Sequence, residues 1–168
     1  TWVMSSAASG VYKGQDLRDA ESGSLALSQY LMSFFIKPGS KLSDILYRQA
    51  KTSEARETGE ELLSLAHSDY QSFQQNLPLY IINSAFVAGG WEFFSYTLKH
   101  FDKAVIIGEP TMGLGYLTTE IKVSEGYAIS MPYAMIRHPV TASNWQQLGV
   151  LPDFEVSAAE GLDVAYRL

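Results

Sequence analysis

The chain has 168 residues, a formal net charge of −6, three histidines and no cysteine, and its 46% hydrophobic and 12% aromatic content suits one folded domain rather than a disordered tract. The acid excess and the lack of any basic run exclude a general nucleic-acid grip. Without cysteine there is no disulfide framework, thiolate metal site or cysteine nucleophile, three separated histidines give no metal cluster, no cofactor is expected, and no apolar run approaches the roughly 20 residues of a membrane span.

Residues 1–13 read as an N-terminal extension or linker, with a short apolar start at Trp2, Val3 and Met4 before the small-residue run SSAASG. Residues 14–23 form a polar turn region that opens the domain proper, 14–168. A helix is predicted over 24–36, where Leu27, Leu31, Phe34 and Phe35 share a face, and Lys37-Pro38-Gly39 stops it. A short strand follows at 44–47. Residues 51–76 are an acidic surface excursion with a predicted helix over 60–73. After Pro78, the run Leu79, Tyr80, Ile81, Ile82 is a buried strand. Trp91, Phe94, Leu98 and Phe101 then recur at helical spacing, so a helix starts near Gly89 and Gly90, with 83–88 as the connection. Such a turn aims backbone amides and the positive end of a helix dipole at whatever lies before it, which suits an oxyanion or carboxylate. Trp91 and Phe94 belong to the core.

A second buried strand at 103–108 completes a strand, helix, strand crossover in a largely parallel sheet. Residues 109–115 form a glycine-punctuated loop. Strands at 116–122 and 127–131 meet at the turn Glu125-Gly126. A loop over 132–147, an extended piece over 149–156 and a closing helix over 158–168 finish the chain.

The order of motifs resembles one family, the carboxyl-terminal processing or tail-specific serine peptidases, which include the modules of interphotoreceptor retinoid-binding protein. Asp16-Leu17-Arg18 followed by Gly23 is similar to the family's DLR…GG turn. Residues 83–94, NSAFVAGGWEFF, fall without a gap on its TSxxTFSAAEEF stretch. Gly108-Glu109-Pro110-Thr111-Met112-Gly113 resembles the GExTxG loop, and Pro139, Asn144-Trp145 and GVLPD at 149–153 resemble the NP…NWxxxGVxPD ending. The resemblance implies an α/β fold with a sheet of the crotonase and ClpP type, corresponding to the C-terminal half of a tail-specific protease core. The earlier half, which supplies a histidine in one branch, has no counterpart here.

On this resemblance the nucleophile position is Gly89, or Ala88 if the match slips by one, and neither carries a group that attacks a carbonyl. The lysine of the bacterial TxGKG loop is replaced by Leu114, and the glutamate of the tricorn-like branch by Gln146, which cannot act as a base. Gly89 and Gln146 together read as a lost active site. The oxyanion hole would come from the amides of Gly90 and Gly23, with Asp16, Arg18 and Thr111 in support. Ser84 and Ser95 are poorly placed as nucleophiles, and His67, His100 and His138 read as structural.

The leading expectation is therefore a serine-type peptidase domain, acting near substrate C-termini and inactive as written. The alternative is a non-catalytic binding module for a peptide tail or apolar small molecule. Partners implied are a peptide or unfolded protein C-terminus and the parent's missing N-terminal segment, in a periplasmic or secreted setting. AGGWEF is also similar to the GGG-x-E-L turn of acyl-CoA crotonases, a reading against which the GVLPD ending counts.

Overall fold

Five consecutive covered residues, LYIIN, build strand β5 (Leu79–Asn83), the kind of run that belongs inside a sheet flanked on both faces. In the computed structural model, which describes residues 2–5, 13–48, 58–66 and 78–168, β5 has β2 (Lys13–Asp16) and β6 (Val105–Gly108) as parallel neighbours. An antiparallel β1 (Trp2–Ser5) and a short parallel β9 (Phe154–Glu155) close the two edges, giving the order β1-β2-β5-β6-β9. The period of two sorts the side chains. Leu79 and Ile81 enter the core with α1 (Leu25–Met32) and α2 (Gly90–His100), whereas Tyr80 and Ile82 pack with Ile107 and with Ala165 of α3 (Gly161–Ala165). Helix α2 is buried from Gly90 through Leu98, its polar Glu92, Ser95 and Thr97 included. Its Phe93 stacks on Trp145 at 6.0 Å and Trp91 meets Phe94 edge-on at 6.1 Å. The α/β class and the parallel crossover thus stand as expected.

A second sheet was not foreseen as a separate layer. It is antiparallel, from β3 (Lys41–Tyr47), β4 (Thr58–Leu63), β7 (Tyr116–Ser124) and β8 (Tyr127–Arg137), in the order β4-β3-β8-β7.

Several stretches depart from expectation. Residues 58–63 form a strand, not the start of a helix, because β3 offers a full ladder and partners for both acids: Tyr47 donates to Glu60 at 2.9 Å and Lys41 pairs with Glu61 at 2.9 Å. Tertiary pairing here overrides local preference. Residues 67–73 of that expected helix lie outside the described residues, as does most of the excursion. Residues 132–137 continue β8 past Pro132, which sits beside a register shift where a missing N–H is tolerated. Lys13–Asp16 is a strand instead of a turn, and Trp2–Ser5, read as extension or linker, pairs with it. Helix α1 stops at Met32, and α3 covers only five residues.

Asp153 acts as a strand extension. Its carboxylate accepts from Ile106 N–H at 2.8 Å, its own amide donates to Ile106 C=O at 2.7 Å, and Lys99 pairs with it at 2.7 Å. Asp153→Ala leaves the Ile106 N–H without an acceptor and should cost about 1–3 kcal/mol in urea unfolding. Asp153→Asn keeps an oxygen and should cost clearly less. Equal losses would show that this carboxylate is not the acceptor that matters.

Candidate functional site

Strand β5 ends at Asn83 and helix α2 starts at Gly90, so the chain reverses direction within a few residues at the C-terminal edge of the parallel strands, where such sheets place their sites. Gly89 stands at the crown as N-cap, with φ 59° and ψ −121°. Side chains rarely adopt that backbone conformation. Space is not the obstacle, since a Cβ at position 89 would meet only the Gly23 carbonyl oxygen, at an ordinary 3.7 Å.

The two bends expected to converge do so. Gly23 bridges Gly89, and Gly90 N–H donates to Gly23 C=O at 3.0 Å. This corrects the expectation of a free donor pair, because the Gly90 amide already has an acceptor and Gly23 presents its carbonyl to it. The approach is possible because the residues involved lack side chains: a Cβ on Gly90 would collide with the Gly23 carbonyl, and one on Gly23 would press on the Trp91 ring at 2.9 Å. Ser28 of α1 reinforces the seam by donating to Gly90 C=O at 2.6 Å.

Asp16 and Arg18 form a two-pronged pair, Nε to Oδ1 at 2.9 Å and Nη2 to Oδ2 at 2.7 Å. The hydrogen bonds from Arg18 hold the Asp16 carboxyl below its usual range and direct Arg18 Nη1 to Ala158 C=O at 3.1 Å. Glu109 closes the same rim from the other side, accepting from the amides of Ala85 and Ala158, each at 3.1 Å. These residues position the bends.

The residue that sequence reasoning passed over is Glu92. It is fully buried in the first turn of α2, and both carboxylate oxygens accept two hydrogen bonds. Oε1 takes Thr111 Oγ1–H and Gly113 N–H, both at 2.6 Å; Oε2 takes Gly89 N–H at 3.0 Å and Leu114 N–H at 2.9 Å. The Gly89 contact is half of a capping box, whose other half needs a side chain at the N-cap. The available signal was an acid three residues past the expected N-cap in an otherwise apolar stretch. Thr111 in turn accepts from Val150 N–H at 2.7 Å, tying in the GVLPD segment.

The other candidates have structural partners. Gln146 accepts from Gly115 N–H at 2.8 Å. Ser84 donates to Arg18 C=O at 2.6 Å, and Ser95 to Asn83 Oδ1 at 3.2 Å. Ala88 is buried and Leu114 contributes its amide to Glu92. His67 lies outside the described residues. His100 and His138 stack among Tyr96 and Phe101, 5.7 Å apart. Burial, with His100 second, lowers His138 to about 4. Among the described residues no three metal-ligating side chains gather, and no helix is long and apolar enough to cross a membrane.

A model of peptidase family S41 matches residues 15–156. Among solved structures, the chain is similar to a photosystem II D1 C-terminal processing protease (TM-score 0.62, 19% identity, 89% of this chain and 37% of that one). It is also similar to a protein described as an S41 protease from Bacteroides fragilis (0.65, 18%, 89% and 39%) and to one described as a peptidase from Parabacteroides merdae (0.69, 16%, 91% and 47%). The chain therefore spans less than half the length of each of these three, and at such identities the likeness is one of fold.

Two outcomes follow from the site's chemistry. Glu92→Gln replaces one acceptor oxygen by an N–H₂ facing backbone donors, and should lower unfolding free energy by about 2–4 kcal/mol; a loss under about 1 kcal/mol would mean the network is dispensable. His138 is depressed in the folded chain, so it contributes stability that is complete above the unfolded value near 6.5 and falls away as pH drops toward about 4. Unfolding free energy should decline by about 2–3 kcal/mol between pH 6.5 and 4, and His138→Asn should flatten most of that slope.

Proposed function

This chain belongs to peptidase family S41, and we propose that it is a serine-peptidase-type domain of the tail-specific kind that holds a peptide C-terminus without cutting it. The observation that carries this reading is Gly89 at the crown of the strand-to-helix elbow, with room for a side chain and none present. In the motif resemblance this is the position of the family serine. Glycine offers no oxygen to form an acyl-enzyme, and Gln146 offers no base to take a proton.

What the elbow retains is a means of binding. Gly90 N–H lies at the N-terminus of an eleven-residue helix, where a negative charge is favoured. Exposed Phe86, Met112, Leu114 and Leu148 sit on segments laced together around it, through Met112 N–H to Val87 C=O at 3.0 Å and Gln147 N–H to Gly113 C=O at 2.9 Å. A terminal carboxylate with an apolar last residue fits that combination. An internal peptide carbonyl, being neutral, has only a like-for-like exchange to offer against Gly23 C=O.

The test uses an unstructured peptide with an apolar last residue, as free acid and as C-terminal amide. The chain should hydrolyse neither and should bind the acid about tenfold more tightly, the gain expected of one charge-assisted hydrogen bond. Hydrolysis by the unaltered chain, or equal binding of the two peptides, would overturn the proposal. Gly89→Ser separates a disabled peptidase from a dedicated binding module. Cleavage that appears with the hydroxyl favours the first, and silence with binding retained favours the second.

A further inference from the structure

Among the described residues, strand β8 is held by β3 through residues 134–137, with Arg48 N–H donating to Tyr133 C=O just beyond them at 2.8 Å. Beyond that point β7 and β8 continue as a two-stranded ribbon, with Glu120 opposite Ser130, Ile121 opposite Ile129 and Lys122 opposite Ala128. Its faces are unlike each other. Ile121 and Ile129 stand side by side on one, continued along β8 by Tyr127, and these three are 44%, 46% and 74% exposed. Glu120, Lys122 and Ser130 occupy the other. A two-stranded ribbon is marginal in water by itself, and further strands at its open edge would stabilise it. β7 is also the edge of its sheet, so its outer main-chain groups form a ready template.

The sequence of β7 is complementary to itself. We infer that β7 pairs antiparallel with β7 of a second copy, about a two-fold axis at Ile121, joining two four-stranded sheets into one of eight strands. In that register Glu120 of each copy faces Lys122 of the other and Ile121 faces Ile121, a regular stretch that ends at the bulge around Val123. Opposite charges directly across a strand pair attract and like charges repel. Among the described residues neither Glu120 nor Lys122 has an ion-pair partner within its own chain. Moving the two-fold axis by one residue, a slip of two residues, sets Lys122 against Lys122 or Glu120 against Glu120, so the charges disfavour both of those neighbouring registers. The contact is isologous and closes at two copies. It also brings the two Ile121 and Ile129 pairs into one continuous apolar face.

Sedimentation of the 168-residue chain should show a dimer forming reversibly as concentration rises to about 200 μM, a range that detects affinities as weak as tens of micromolar. Glu120→Lys and Lys122→Glu each place like charges in both symmetric pairs and should weaken self-association about tenfold or more. The double exchange E120K/K122E should restore it. An equimolar mixture of the two single variants should form a heterodimer, since one copy then carries two lysines and the other two glutamates. Both positions lie on an exposed ribbon, and unchanged circular dichroism should accompany each result. A chain that stays monomeric to about 200 μM, or a dimer equally strong in both single variants, would overturn the assignment.

Discussion

The site rests on a carboxylate that the core has no apparent reason to accept. Glu92 is wholly buried, and among the described residues no cation is paired with it. Burying such a group unaided costs several kcal/mol. Four donors, at 2.6 to 3.0 Å, offset that cost, and the N-terminus of α2 adds a favourable field. Three of the four donors come from the loop after β6. Helix α2 therefore cannot shift without leaving backbone amides of that loop unsatisfied, and the elbow, the loop and the 150–153 segment behave as one unit through Thr111.

None of those bonds involves a side chain at position 89. The frame around the elbow is therefore complete without any side chain at that position. A side chain at φ 59° would carry strain of about 1–3 kcal/mol, and glycine carries much less. Glycine thus spares the elbow that strain. On the proposed reading this matches the common trade of activity for stability, with a local origin.

How much of this could be read from the sequence depends on whether the signal was local. The apolar run at 79–82, the helical spacing of Trp91, Phe94 and Leu98, and the Glu125-Gly126 turn were legible because each is set by near neighbours. Strand β4 was not, since Glu60 and Glu61 favour a strand only when Tyr47 and Lys41 lie beside them. The end of β8 was hidden by Pro132, whose tolerance depends on the register shift beside it, where β8 carries an extra residue. The convergence of the bends was foreseen from motif order, but the direction of the Gly23 carbonyl was not. That direction depends on close approach of three glycines and is not encoded in any single one. Glu92 was visible as a letter and invisible as a role, because its donors arrive from a loop about twenty residues further along the chain.

The Gly23 carbonyl has a consequence for affinity. Any ligand reaching the Gly90 amide must first displace an internal acceptor at 3.0 Å. A neutral carbonyl exchanges one amide hydrogen bond for another, and such bonds are worth only about 0.5–1.5 kcal/mol net, so it gains nothing from the swap. A carboxylate makes a bond roughly twice as strong and also interacts with the helix terminus. On the proposed reading, the internal hydrogen bond would therefore act as a filter set by charge. It would lower affinity for every ligand by the same amount, and of the ligands proposed an anionic chain end gains most against it.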